Sequence, residues 1–136
     1  MMNKLLLNIV SPDREIFSGE AKSIIVTTIH GEVQILAGHA EFFAPLATGR
    51  AKIAFIDGTT RTAAISGGFI LVSKEETKVV TTTFEFSDEI DMNRAQQAKQ
   101  KAEELLKSSN EAKEMQVNQA KLSRAITRIN VASAKN

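Results

Sequence analysis

The sequence contains no cysteine, no tryptophan and no tyrosine, and only two histidines. Without cysteine the chain can form neither a disulfide framework nor a thiolate metal site, and it has no cysteine nucleophile; such a composition fits a reducing compartment. The scarcity of histidine and of aromatic rings leaves little material for acid–base catalysis or for stacking nucleic-acid bases. These absences argue against an enzyme and against a base-stacking module.

Long apolar runs and an excess of one charge sign are also absent. The run Leu5–Leu7 is far shorter than the roughly 20 residues of a membrane-spanning helix, so we expect a soluble chain that is not exported. The 17 basic and 16 acidic residues leave a formal charge of +1, which provides no global field for nucleic acid or anionic lipid. With 136 residues and 43% hydrophobic content, the chain can bury one modest core and carry an added helical unit.

The hydrophobic pattern changes within residues 84–95 from strand-like alternation to helical spacing. Upstream, β-branched runs separated by regularly spaced turn residues are typical of a β-sandwich or flattened barrel. The strongest local signal is Asp57-Gly58 between two such runs, which predicts a hairpin with a type I′ turn. Strands are predicted over residues 5–10, 15–17, 23–29, 33–36, 50–56, 60–65, 69–73 and 78–83.

A first helix, ending near residue 106, is predicted downstream of this change. The carboxylate of Asp88 or Asp91 can accept hydrogen bonds from its first turn. One face carries mainly small side chains, which we expect to form the contact with a second helix. This face consists of Ala95, Ala98, Ala102 and Leu105.

A second helix is predicted after a short break, where Ser108 and Glu111 have the spacing of a capping box. Because the connection is short, the two helices should lie antiparallel. The predicted fold is therefore α+β: an antiparallel β-sandwich over residues 1–86, followed by an antiparallel two-helix hairpin over residues 88–133. The face of the second helix expected to pack consists of Ala112, Met115, Gln119, Leu122, Ile126 and Ile129.

Antiparallel packing is expected to bring basic side chains together. Arg124 and Arg128 lie one turn apart on the second helix, and the predicted register places them level with Asp91 and Arg94. Three guanidinium groups would then converge at the open end of the hairpin, beside Glu85, where the chain leaves the sheet.

Several short motifs, in this order and spacing, resemble the epsilon subunit of a rotary ATP synthase over essentially the whole chain. The motifs are Ile9-Val10-Ser11-Pro12, Phe17-Ser18-Gly19, Leu36-Ala37-Gly38-His39-Ala40, Ser66-Gly67-Gly68-Phe69, Ile90-Asp91-Met92-Asn93-Arg94-Ala95 and Ser123-Arg124-Ala125-Ile126-Thr127-Arg128.

The resemblance implies a non-catalytic rotor subunit of the central stalk. The sandwich would anchor to the gamma subunit and the membrane c-ring, with Glu32 and His39 at partner interfaces, while the hairpin would regulate ATP hydrolysis by the catalytic alpha and beta subunits. The chain would lie at the cytoplasmic face of the cell membrane, touch the membrane only through the complex, bind no nucleic acid and require no cofactor. The rival hypothesis is an independent nucleotide- or nucleic-acid-binding module whose basic helix end contacts phosphates.

The resemblance also implies ATP as a regulatory ligand. Planar guanidinium groups suit phosphate through forked, charge-assisted hydrogen bonds, and nearby carboxylates could accept from an adenine amino group or a ribose. The alternative is that the arginines only pair with acidic residues of the linker at residues 88–91. The positions that match the family's ATP-binding pattern are Glu85, Ile90, Asp91, Arg94, Ala95, Arg124 and Arg128.

Overall fold

The computed structural model describes residues 4–134 as two stacked β-sheets followed by a pair of helices. Residues 1–3, which the predicted sandwich includes, and residues 135–136 lie outside the described residues. The strands are β1 Leu5–Val10, β2 Glu15–Ala21, β3 Ser23–Thr28, β4 Gly31–Leu36, β5 Phe42–Pro45, β6 Gly49–Ala54, β7 Thr60–Ser66, β8 Phe69–Val72, β9 Thr77–Val80 and β10 Thr83–Phe86.

Each sheet has five strands, in the orders β2-β1-β9-β8-β5 and β10-β7-β6-β3-β4. Alternation along the strands drives the stacking: in β1 the side chains of Leu5, Leu7 and Ile9 are buried while the residues between them are not. The inward side chains of both sheets form one core, and every residue of that core lies between Leu5 and Phe86. The sandwich therefore closes its own core without the helices, which confirms the predicted fold class.

The pairing of β1 with β9 departs from the predicted antiparallel sandwich. These two strands are parallel, with Leu7 opposite Thr77, whereas every other described strand pair is antiparallel. The chain thus returns to its first strand only after the greater part of the sandwich has been laid down.

Two strand predictions need correction. The run predicted over residues 78–83 is two strands, β9 and β10, in different sheets; between them the buried Thr81 donates its hydroxyl to the carbonyl of Thr83, 2.9 Å away. The short edge strand β5 was not predicted, because Pro45 ends it and proline lacks the ladder donor. Between β7 and β8 the chain crosses from one sheet to the other next to Gly68. A Cβ at this position would lie 1.8 Å from the carbonyl oxygen of Val80, so a larger residue would clash there.

The predicted β6–β7 hairpin is present, but its turn is not type I′. That turn requires positive φ at both central residues, and within residues 4–134 only glycines have positive φ. Gly58 has φ +90°, and its N–H donates to the carbonyl of Phe55. Asp57 instead accepts from the backbone N–H of Thr59 at 2.9 Å, so its side chain closes a longer loop.

A 3₁₀ turn, Ser87–Glu89, leads into helices α1 Met92–Ser108 and α2 Ala112–Ser133. Asp91 caps α1, its carboxylate accepting from the N–H of Arg94 at 3.1 Å, as one of the two predictions proposed. The predicted capping box of α2 is wrong: Glu111 occupies the N-cap without a side-chain bond, and Ser108 donates back to the carbonyl of Leu105. No helix within residues 4–134 is both long enough and apolar enough to cross a membrane.

The two helices pack side by side, and a buried polar chain joins them near the tip. Asn118, only 8% exposed, donates from Nδ2 to the hydroxyl of Ser109 at 3.0 Å. Ser109 in turn donates to the carbonyl of Leu105 at 2.6 Å. The Ser109 hydroxyl thus gives a partner to a carbonyl at the C-terminus of α1, where helix carbonyls otherwise lack partners, and a side chain of α2 bonds to that hydroxyl.

The buried face of α2 differs from the predicted one. Asn118, Ala125 and Val131 are buried, whereas Met115 is 47% exposed and Ile126 is 38% exposed. α2 contacts both α1 and the outer face of β6 and β7, so the buried face is set by two neighbours rather than by the most apolar stripe. On α1, Ala95 and Ala102 are buried as predicted, but Ala98 is exposed.

Candidate functional site

A cleft of about 370 Å³ separates the sandwich from the helical hairpin. Its volume falls in the lower part of the range of roughly 300–1,000 Å³ found for small-molecule sites. β7 and β10 form the floor, and α1 and α2 form the walls. The lining residues are Ala64, Ile65, Ser66, Thr83, Glu85, Ala98, Lys101, Ala102, Leu105, Lys121, Arg124, Ala125, Thr127 and Arg128.

The charged side chains of this cleft are mostly basic. Lys101 comes from α1, and Lys121, Arg124 and Arg128 come from α2, while Glu85 is the one acidic residue among those that line it. Helical spacing explains the cluster, because residues three and four apart share a face. The small side chains on both helices leave room between the basic groups. An anion that carries several negative charges suits such a site.

Glu85 and Arg128 form a two-point ion pair across the cleft. Arg128 donates from Nε to Glu85 Oε1 at 2.8 Å and from Nη2 to Oε2 at 3.4 Å. Both side chains are about a third exposed or less, at 32% and 28%. Glu85 stands on the edge strand β10, opposite Ala64 of β7. Within residues 4–134 this is the one ion pair between helices α1 and α2 and the sandwich.

Arg124 differs from Arg128 in having no such partner. Its side chain is half-buried and lines the same cleft. Among the described residues it makes no side-chain hydrogen bond and no ion pair. The two arginines of the motif are therefore not equivalent: Arg128 is engaged by a carboxylate, whereas the guanidinium group of Arg124 is available to a ligand.

Four predicted ATP-binding positions do not line the cleft. Ile90 is half-buried in the linker, Asp91 caps α1, Arg94 is exposed and Ala95 is buried. These positions lie outside the cleft because the register between α1 and α2 differs from the predicted one. The walls bring Arg124 and Arg128 level with residues 98–105 of α1, which lie about one to three turns beyond Arg94.

The acidic residues of the linker do not pair with Arg124 or Arg128. The alternative prediction, in which these arginines only form ion pairs with the linker, is therefore not what the structure shows. Asp88 accepts from Arg61 Nη2 at 3.3 Å, and the Arg61 guanidinium also lies 3.5 Å from the centre of the Phe86 ring. Glu89 accepts from the backbone N–H of Phe86 at 3.0 Å. These contacts attach the linker to the sandwich and leave the cleft cations without linker carboxylates.

Sequence reasoning missed two of the basic residues of the cleft. Lys121 precedes Arg124 by three residues and therefore shares its helix face, a signal that was present in the sequence. Lys101 depends on the register between the helices, which the sequence does not specify. The hydroxyl groups of Ser66 and Thr83 in the floor likewise become visible only once β7 and β10 are paired.

The two predicted interface residues lie away from this cleft. Glu32 accepts from Arg50 Nε at 2.6 Å and from Nη2 at 3.2 Å, and this hydrogen-bonded guanidinium lowers the pKa of Glu32. The His39 ring is half-buried, with Nδ1 2.7 Å from the carbonyl oxygen of Ala40 and an edge contact to Phe42. No cluster of three or more potential metal ligands occurs in the described part of the chain.

Comparison with known proteins identifies relatives of both halves. The family model for the β-sandwich domain of the ATP synthase delta/epsilon chain matches residues 4–87, and that for its long α-helix domain matches residues 88–133. The ATP synthase epsilon chain of Ruminococcus albus is 39% identical over 130 residues, covering 95% of this chain and 96% of that protein. The Bacillus pumilus epsilon chain is 38% identical and covers 96% and 98%. A chain in the mitochondrial ATP synthase of Euglena gracilis has a TM-score of 0.82 at 25% identity, covering 91% of this chain and 78% of that one.

Proposed function

The chain belongs to the delta/epsilon chain family of ATP synthase, as an epsilon chain, and on this premise we propose that it is a regulatory stalk subunit with an ATP-sensitive helical hairpin. In this role it carries out no catalysis. The sandwich anchors it to the gamma subunit and the c-ring, and the hairpin acts on the catalytic alpha and beta subunits. Its place is at the cytoplasmic face of the membrane, as part of the complex.

The proposed regulation by ATP is supported by the way in which the basic cleft is built. Its floor belongs to the sandwich, and its walls belong to two different helices. The cleft therefore exists only while the hairpin is folded onto β7 and β10. A ligand that binds only this compact form shifts the equilibrium toward it, by an amount that its affinity and concentration determine.

ATP is the proposed ligand, with its phosphates against Arg124 and Arg128. The forked donors of guanidinium match phosphate oxygens, and in this proposal the carboxylate of Glu85 accepts from a donor group of the ligand. Ile90, Asp91, Arg94 and Ala95 remain proposed contacts by family resemblance. The compact hairpin then permits ATP hydrolysis by the complex, and an extended hairpin blocks it by reaching the catalytic subunits.

Titration of the isolated full chain with ATP, followed by amide NMR shifts, tests the ligand. Arg124→Ala should weaken ATP binding by roughly ten- to a hundredfold, because a hydrogen bond to a charged group contributes about 1.5–3 kcal/mol. Arg14→Ala is the matched control, since Arg14 is an exposed arginine of the sandwich that does not line the cleft. Equal affinities for the wild type and Arg124→Ala would reject the phosphate site.

The stalk role is tested separately by association. The chain should co-purify with the gamma, alpha and beta subunits and with the c-ring. A chain that purifies alone but still binds ATP would be the independent nucleotide-binding module.

A further inference from the structure

The ion pair between Glu85 and Arg128 suggests a role beyond holding the hairpin on the sandwich. We propose that Glu85 is an internal counter-ion of the cleft, which opposes bare polyphosphates and so favours ligands that carry hydrogen-bond donors beside their phosphates. This inference rests on the proposed function of the cleft as an ATP site and specifies how that site selects its ligand.

The geometry places the carboxylate where a phosphate would otherwise bind. Glu85 engages Nε and Nη2 of Arg128 at 2.8 Å and 3.4 Å, which is one complete fork of the guanidinium group. A phosphate oxygen pair uses the same kind of fork. The carboxylate of Glu85 therefore neutralises one of the two arginines, and among the described residues Arg124, Lys101 and Lys121 are the cleft cations without an ion-pair partner.

The sheet fixes the backbone position of Glu85 beside the cleft. Glu85 is in the middle of β10, whose backbone pairs with β7 through Ala64, so only its side-chain torsions are free. A bound polyphosphate then has a negative charge beside it, and this repulsion weakens binding. A ligand with an amino or hydroxyl donor near that carboxylate offsets the repulsion, because carboxylates are strong acceptors.

Glu85→Gln tests this idea, because glutamine keeps the size of the side chain and one acceptor but removes the charge. Calorimetric titrations of the full chain with sodium tripolyphosphate and with ATP provide the comparison. Tripolyphosphate should bind roughly two- to fivefold more tightly to the variant than to the wild type, the range expected for one partly exposed ion pair. ATP should gain less than tripolyphosphate or lose affinity.

Glu32→Gln is the matched control, since Glu32 also forms a two-point pair with an arginine but does not line the cleft. It should leave both affinities unchanged. Glu85→Thr is a second variant for the case in which Glu85→Gln loses its helical circular dichroism signal, since threonine suits a strand. It also removes the charge and should shift the two affinities in the same directions as Glu85→Gln.

The outcomes separate this inference from the function on which it rests. If the wild type binds ATP and Glu85→Gln gains nothing for tripolyphosphate, or gains equally for both ligands, the counter-ion role is wrong and the ATP site stands. If the wild type binds neither ligand at millimolar concentration, the ATP site and the counter-ion role both fail.

Discussion

Removing the hydroxyl of Ser109 should destabilise the helical hairpin while leaving the sandwich unchanged. That hydroxyl accepts from the buried Asn118 and donates to the carbonyl of Leu105. In Ser109→Ala the Asn118 amide, only 8% exposed, loses its partner. A buried polar group left without a partner costs about 1–3 kcal/mol, and because a little solvent reaches this site we expect about 1–2 kcal/mol. The open form of the hairpin would then become roughly 5- to 30-fold more populated.

Native-state hydrogen exchange measures this change, because it reports the opening of each part of the chain separately. Amides of α1 near Ala102 should exchange roughly 5- to 30-fold faster in Ser109→Ala than in the wild type, while those of β1 and β7 should not change. Ser108→Ala is the matched control: Ser108 is exposed and also donates to the carbonyl of Leu105, but Asn118 does not depend on it. Equal exchange rates in the wild type and in both variants would refute the proposed role of the polar chain.

Two further predictions concern the stability of the sandwich. A chain ending at Phe86 should unfold cooperatively with its β-sheet circular dichroism signal intact, because the core contains no helical residue; loss of cooperative unfolding would show that the hairpin is required. The second outcome concerns Glu32, whose pKa is lowered from its ordinary value of 4.5 by the hydrogen-bonded Arg50 guanidinium. The pair therefore stabilises the fold above about pH 4.5 and loses this contribution as pH falls through the lowered pKa, so melting temperatures of Glu32→Gln and the wild type should differ slightly at neutral pH and converge in acid.

Most of the fold was predictable because it depends on local signals. The change from alternation to helical spacing after β10 separates the two halves, and it arises from side-chain periodicity alone. The bounds of β1 and the cap at Asp91 agree with the prediction, since both depend on neighbouring residues. The prediction of a type I′ turn at Asp57-Gly58 was wrong. The same dipeptide occurs in more than one kind of hairpin loop, and which loop forms depends on how β6 and β7 pair.

The site was predictable only in part, for the same physical reason. Arg124 and Arg128 share a helix face by spacing, and Glu85 stands at the end of the sheet, so their proximity followed from sequence positions. The position of Arg94 depended on the register between α1 and α2, which the buried side chain of Asn118 and the contacts of α2 with the sandwich determine. Met115 and Ile126 were assigned to the buried face because they are apolar, yet a helix with two neighbours does not have to bury its most apolar stripe.

The parallel pairing of β1 with β9 has a consequence for the order in which the chain folds during synthesis. Leu7 meets Thr77 only after about 70 intervening residues have been made, and closing a loop of that length costs entropy before any contact compensates for it. Until then the nascent β1–β2 pair presents an open strand edge, which is where aggregation begins. The helices follow the sandwich in the chain and contact mainly each other. They therefore meet a sandwich that is already complete, and the slow step of folding belongs to the sandwich.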